Sequence, residues 1–172
     1  MTDIRYTVFE TEWGPCALAW SRWGICALVL PAGSKSRPDR KIEELCPGAA
    51  PGDPSEVAEY TDMLQAYFRG EPVELRAKLD LSWATPFQSK VYRTLTRIPA
   101  GETWSYGYVA DKAGVPGAAR AVGAANAGNR VPLFIPCHRV VKADGATGGF
   151  SAPGGTKLKQ KLLDLERNSI ST

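Results

Sequence analysis

Ser105-Tyr106-Gly107-Tyr108-Val109-Ala110-Asp111-Lys112-Ala113-Gly114-Val115-Pro116-Gly117-Ala118-Ala119-Arg120-Ala121-Val122-Gly123-Ala124-Ala125-Asn126-Ala127 reads as two short helices around a tight turn. Ser105 is placed to cap the first, which runs to residue 113. Gly114-Val115-Pro116 reverses the chain, and residues 117–127 form the second helix. Two helices joined by a three-residue, glycine-containing turn make a helix-turn-helix. The second helix carries little side-chain bulk apart from Arg120. Small residues also occur where helices pack closely, so the helix alone supports either close packing or insertion into a nucleic-acid groove. In the second case Arg120 stands in for an extruded base.

Upstream, Thr85-Pro86-Phe87-Gln88 predicts a sharp helix start: threonine as cap, proline at the first helical position, and glutamine three residues on to close a capping box. That helix continues to residue 97, and Ile98-Pro99-Ala100-Gly101 ends it. Downstream lies Ile135-Pro136-Cys137-His138-Arg139-Val140-Val141, which contains the one histidine of the chain. A thiol beside an imidazole is the usual means of making a nucleophilic sulfur, because the thiolate is the reactive form. Neighbours in an extended chain point to opposite sides. The pair is therefore expected to work through a bridging water, with the imidazole held from behind by a carboxylate. A buried structural cysteine beside a capping histidine is the plainer alternative. In the last helix Leu158, Leu162 and Glu166 fall at i, i+4 and i+8, which puts Glu166 on an apolar face. A carboxylate there needs a partner, and the candidates are His138 and one of the arginines.

Before Thr85 the chain changes character. Residues 6–10, 15–20 and 24–30 read as a three-stranded antiparallel meander. A breaker-rich stretch encloses a short polar helix over residues 39–45. Ser55 is placed to cap a helix ending at Phe68, and residues 73–81 read as a further strand. The predicted division is therefore an α+β N-terminal domain over residues 1–84 and a mostly helical domain over residues 85–172. From Thr85 onward twelve Lys/Arg stand against five Asp/Glu, a net charge of +7, whereas the first 84 residues carry −4. A basic half joined to an acidic one suggests a polyanionic partner for the basic half.

Some classes are excluded. No apolar run approaches a membrane span, and the N-terminus has no signal-peptide pattern. Cys16, Cys26, Cys46 and Cys137 form neither a CxxC pair nor a dense disulfide spacing, so reduced thiols in a cytoplasmic setting are expected, with no zinc site. A cysteine hydrolase would need a histidine distant from its cysteine, and none exists. A sequence-reading helix-turn-helix regulator would need more than Arg120 and Asn126 on its recognition helix.

Ser105-Tyr106, Ala119-Arg120-Ala121-Val122-Gly123, Gly128-Asn129 and Pro136-Cys137-His138-Arg139-Val140, in this order and spacing, resemble the O6-alkylguanine-DNA alkyltransferases. The resemblance is strong over residues 85–166 and weaker over the first 80. It implies a ribonuclease-H-like N-terminal domain without separate catalysis, followed by a winged-helix or helix-turn-helix domain. It also implies a single-turnover transfer of the alkyl group from O6 of guanine to Cys137, needing neither cofactor nor metal. O4-alkylthymine stays open as a second substrate. The implied partner is duplex DNA, gripped through the minor groove with the damaged nucleotide flipped, by a monomer in a cytoplasm with access to the nucleoid. His138 would deprotonate Cys137 through a water, Glu166 would orient His138, and Tyr106 would supply a proton or hydrogen bond to the leaving guanine. Arg120 would replace the flipped nucleotide, and Asn129 would brace the turn before the reactive segment. Ser105, Val140, Phe150 and Ser151 would line the DNA and base sites. Phe150 stands where many relatives carry tyrosine, and residues 151–155 depart from the common loop. The non-catalytic alkyltransferase-like proteins carry tryptophan at the position of Cys137, which argues against that reading.

Overall fold

The computed structural model describes residues 3–150, 152 and 154–170, and its contacts divide into two units. One comprises residues up to Trp83 together with Arg130–Pro132; the other comprises Ala84–Asn129 together with the chain from Leu133 onward.

In the first unit β1 (Arg5–Thr11), β2 (Gly14–Ser21) and β3 (Gly24–Val29) form the antiparallel meander read from the sequence. A short β4 (Ala50–Pro51) adds in parallel to β1, giving the order β3-β2-β1-β4. β2 is central and buried from Pro15 to Ser21, as expected of a strand covered on both faces. α1 (Pro38–Leu45) packs on β2 and β3, and its Ile42 enters an apolar cluster with Ala17, Ala19, Ala27 and Val29. α2 (Ala58–Phe68) follows a 3-10 turn at Pro54–Val57 and buries Leu64, Tyr67 and Phe68.

Two expectations are corrected here. Asp53 caps the 3-10 turn, its carboxylate accepting from Ser55 N at 3.0 Å, and α2 follows from Val57 with no side-chain cap; Ser55 lies inside the turn because Pro54 takes the first helical position. Residues 73–81 do not form a strand, only a single parallel bridge between Ile25 and Leu79. The free edge of β3 is shared: Ile25 exchanges hydrogen bonds with Lys78 and Asp80, but Leu28 N donates to Arg130 O at 2.8 Å. The returning segment Arg130–Pro132 thus takes the edge that a longer strand would have filled.

In the second unit the capping box forms as read. Thr85 Oγ1 accepts from Gln88 N at 3.1 Å and Thr85 N donates to Gln88 Oε1 at 2.9 Å, starting α3 (Pro86–Leu95). Ser105 caps α4 (Tyr106–Lys112) by accepting from Tyr108 N at 3.0 Å. The second helix of the pair, α5 (Ala119–Ala127), starts two residues later than expected. Gly117 takes φ +81°, outside the helical region. The Tyr92 hydroxyl on α3 donates to Ala125 O at 2.6 Å and ties α5 down. Beyond it, β6 (Val140–Val141) pairs in parallel with β5 (Trp104–Ser105), and α6 (Gly155–Ile170) ends the described chain. Among the described residues no helix is long and apolar enough to cross a membrane.

Candidate active site

Cys137 opens a 3-10 turn, Cys137–Arg139, between the buried run Val131–Ile135 and β6. Its amide donates back to Ile135 O at 2.7 Å. Just ahead, Leu133 sits at φ +73°, an uncommon conformation for a branched residue and one that stores strain of about 1–3 kcal/mol. Asn129 Nδ2 donates to Ile135 O at 2.9 Å, bracing this bend from the end of α5. The thiol is buried and free.

His138 and Glu166 meet as the helix spacing suggests. His138 is fully buried, and its Nε2 lies 2.6 Å from Glu166 Oε2. Arg139 joins the same carboxylate: Nε donates to Oε1 at 2.8 Å, Nη2 to Oε2 at 3.0 Å, and Nη1 to Ile98 O at 2.7 Å. This bidentate contact is the geometry in which a guanidinium holds a carboxylate most specifically. Burial pushes the Glu166 carboxyl up, but the charges and hydrogen bonds of His138 and Arg139 outweigh it and hold the group well below the usual carboxylate range. Burial lowers His138 against the pull of Glu166, aided by the charges of Arg139 and Lys159. The imidazole is therefore neutral at rest, beside an ionised carboxylate that Arg139 balances. A neutral ring donates through Nε2–H to Glu166, leaving the Nδ1 lone pair to act as a base. That atom is buried and has no hydrogen-bond partner among the described residues.

Burial pushes the Cys137 thiol up, opposed by a hydrogen bond from Asn129 and by the charge of Lys159. At neutral pH it is a thiol that needs a base. Lys159 itself is fully buried, lowered by its burial to about 8, and opposed in that by the negative charge of a Cys137 thiolate. Its Nζ reaches Gly149 O at 3.4 Å and lies 5.9 Å from the centroid of the Tyr106 ring. The Tyr106 phenol is raised by burial and then by the Cys137 charge, so it keeps its proton. A Cβ at Gly148 would fall 2.8 Å from the Tyr106 hydroxyl, so the loop after β6 passes directly over that group.

Cys137, His138, Glu166, Tyr106 and Asn129 thus gather around one thiol. Lys159 was not expected, and Arg139 only as one of several arginines. Lys159 was readable, since it precedes Glu166 by seven residues on α6 and so shares its buried face. Val140 is buried in β6 and Phe150 is partly buried. The Ser105 hydroxyl is engaged as the α4 cap. Ser151 lies outside the described residues. On α5, Val122 and Ala125 face inward, while Arg120, Ala121, Ala124 and Ala127 are exposed. The outer face is therefore a thin ridge with one long cation, and Arg120 makes no ion pair among the described residues.

The profile of the 6-O-methylguanine DNA methyltransferase DNA-binding domain matches residues 86–168, and that of the family's ribonuclease-like domain matches residues 4–81. A methylated-DNA–protein-cysteine methyltransferase of Mycobacterium tuberculosis is 47% identical over 116 residues, covering 67% of this chain and 68% of the relative. One from Methanosarcina acetivorans is 37% identical over 163 residues, covering 95% and 98%. Among solved structures, the Mycobacterium tuberculosis OGT in complex with DNA superposes with a TM-score of 0.79 at 39% identity, covering 96% of this chain and 94% of that one.

Proposed function

The chain belongs to the 6-O-methylguanine DNA methyltransferase family, and from that premise we propose that Cys137 receives the alkyl group its reaction removes from O6 of guanine in DNA. The observation that carries this assignment is the buried His138–Glu166 pair next in the chain to the buried Cys137 thiol, on a unit that also presents a helix-turn-helix.

The chemistry follows from the charges. The Cys137 proton passes through a water to His138 Nδ1, making a thiolate and an imidazolium that Glu166 stabilises. The sulfur attacks the alkyl carbon, the S–C bond forms as the C–O6 bond breaks, and the electron pair stays with guanine. Neutral guanine leaves better than its anion, and the protonated Tyr106 hydroxyl supplies the proton. No cofactor or metal takes part. The thioether has no route back to a thiol, so each chain acts once.

A thiol this buried meets a base only after the base has left the stack, at a cost of a few kcal/mol. The α5 ridge enters the minor groove of duplex DNA, Arg120 fills the gap, and phosphate contacts from the basic half offset the cost. Ser105, Val140 and Phe150 belong to the walls of the base and DNA sites. The chain acts as a monomer in the cytoplasm, where it reaches the nucleoid, and residues 1–84 serve as a structural domain for residues 85–172.

The test is incubation with duplex DNA containing O6-methylguanine, followed by peptide mapping by mass spectrometry. One methyl on the Cys137 peptide, lost in Cys137→Ala, is expected. DNA binding without an adduct on Cys137 refutes the assignment.

A further inference from the structure

One polar side chain of α5 is left unused by this chemistry. Asn126 Nδ2 and Oδ1 are both buried, and neither has a hydrogen-bond partner among the described residues. Most buried side-chain polar atoms are paired, and leaving an amide unpaired is costly. An apolar residue of similar size would fill the position without that cost. The place of Asn126 on the helix shows what it faces. At about 3.6 residues per turn, it falls between Val122, which is fully buried, and Gly123. Gly123 in turn faces Tyr106, since a Cβ there would lie 3.8 Å from Cε1 of the ring. A helical side chain leans over the turn before its own Cα. Asn126 therefore reaches over the Val122–Gly123 turn beside the Tyr106 ring, where glycine leaves room. Three residues further on, Asn129 Nδ2 donates to Ile135 O at 2.9 Å, and the Cys137 amide donates to the same oxygen at 2.7 Å. The unpaired amide thus lies between the phenol that serves the leaving base and the turn that holds the acceptor sulfur.

We propose that Asn126 reads the flipped base: its carboxamide pairs with the N1 and N2 edge of O6-alkylguanine and selects that base over others. The identity of the base rests on the Cys137 reading. Alkylation at O6 removes the proton from N1, so this edge presents an acceptor at N1 beside a donor, the N2 amine. The amide is its complement, with Nδ2–H donating to N1 and Oδ1 accepting from N2–H. Asparagine reads adenine through two parallel bonds of the same kind. Unmodified guanine carries a proton on N1, so two donors would face each other there. O4-alkylthymine offers acceptors at both N3 and O2, so Oδ1 would face another oxygen. Either base forfeits one bond and leaves a buried polar group opposed by its like. Repaired guanine is for the same reason held more weakly than the lesion it came from, which favours its return to the stack.

The experiment measures equilibrium binding of full-length Cys137→Ala, which cannot accept the alkyl group, to two duplexes. One carries O6-methylguanine and the other O6-methylhypoxanthine, the same base without its N2 amine. With Asn126 in place, loss of the amine should weaken binding roughly 5- to 150-fold, the discrimination that a bidentate amide–base pair supplies. In Asn126→Leu on the same background the two duplexes should bind about equally. Asn126→Asp keeps an acceptor but has no N–H, so it should bind O6-methylguanine more weakly while still preferring the base with the amine. The duplexes differ in their own stability, and that difference cancels when the ratio for Asn126→Leu is set against the ratio for Asn126. An amine effect of equal size in Asn126→Leu overturns the proposal, as does equal binding of both duplexes with Asn126 in place. Asn126→Leu removes no hydrogen bond within the fold and should not lower Tm; a marked fall would assign the amide to the fold itself and overturn the base-reading role. Methyl transfer to Cys137 is scored separately on the parent protein. Failure of that reading therefore shows as a missing adduct, and failure of this one as an unchanged binding ratio.

Discussion

Glu166→Gln is the sharpest test of the relay, because the two carboxylate oxygens receive three buried donors. Oε1 takes Arg139 Nε, while Oε2 takes both His138 Nε2 and Arg139 Nη2. A glutamine offers one acceptor oxygen and one NH2 group. With its oxygen at the Oε2 position, the NH2 faces Arg139 Nε, a donor that cannot give up its proton. With its oxygen at the Oε1 position, the NH2 faces His138 Nε2 and Arg139 Nη2. His138 can then accept only by moving its proton to Nδ1, and Nδ1 ceases to be a base. Both orientations leave the Arg139 charge buried without a counter-charge. Breaking a buried pair in this way costs about 3–5 kcal/mol, a fall in Tm of roughly 6–20 °C for a chain of this size. The tautomer change adds a kinetic loss, which in the serine-protease triad reaches about 10^4-fold. Single-turnover transfer from O6-methylguanine duplex and thermal unfolding measure the two effects separately. A variant within 1 kcal/mol of the parent in stability and within threefold in rate would refute the reasoning, since Glu166 would then neither balance Arg139 nor orient His138. The parent's own pH dependence has a definite sign. Glu166 and His138 both have folded-state pKa values below their unfolded ones. Each contributes stability that is complete above its unfolded value, about 6.5 for histidine and 4.3 for glutamate, and is lost as pH falls from there through the folded value. Acid unfolding should accordingly begin with His138, and His138→Gln should remove the upper part of the loss.

Arg120→Ala should slow repair of duplex DNA about tenfold or more, reflecting the unstacking cost of a few kcal/mol, while leaving reaction with free O6-benzylguanine unchanged; equal losses on both would remove the finger role. Gly148→Ala combines a φ of +72° with a Cβ at 2.8 Å from the Tyr106 hydroxyl. It should cost about 1–2 kcal/mol in backbone strain and slow transfer by displacing Tyr106, with DNA affinity preserved in a gel-shift titration. An unchanged rate would show that Tyr106 does not act from its observed position. Lys159→Met should slow transfer at pH 7, because the Cys137 thiolate loses the positive charge that favours it, without loss of stability in urea. Lys159 is lowered from 10.5 to about 8, so in the parent it weakens the fold below 10.5 and the penalty grows as pH falls towards 8. That slope should vanish in the variant, and its persistence would place the titration elsewhere.

What could be read from the chain divides by the range of the interaction. The capping box at Thr85 and the cap at Ser105 are fixed within four residues, and the structure forms both as read. The pairing of Glu166 with His138 spans 28 residues, yet it was legible because an acid on the apolar face of a helix must find a partner, and His138 and the arginines were the candidates. The strand expected over residues 73–81 failed for the opposite reason. Its alternation was sound, but whether β3 had an edge to offer depended on Arg130–Pro132 returning to that edge from much later in the chain. No local pattern marks such a return.

Arg139 shows the same limit at the active site, and it changes how the relay is understood. With His138 and Glu166 alone, a buried carboxylate 2.6 Å from the ring would pull a proton onto the imidazole, and a protonated ring cannot accept one from Cys137. Arg139 cannot lose its charge, and its bidentate contact already balances Glu166. The carboxylate is thereby ionised without needing His138 to be charged, and burial keeps the ring neutral. When the Cys137 proton arrives at Nδ1, the new imidazolium finds Glu166 in place, and its charge is matched by the thiolate formed in the same step. The arginine after the Cys-His pair is therefore what permits its neighbour to be a base.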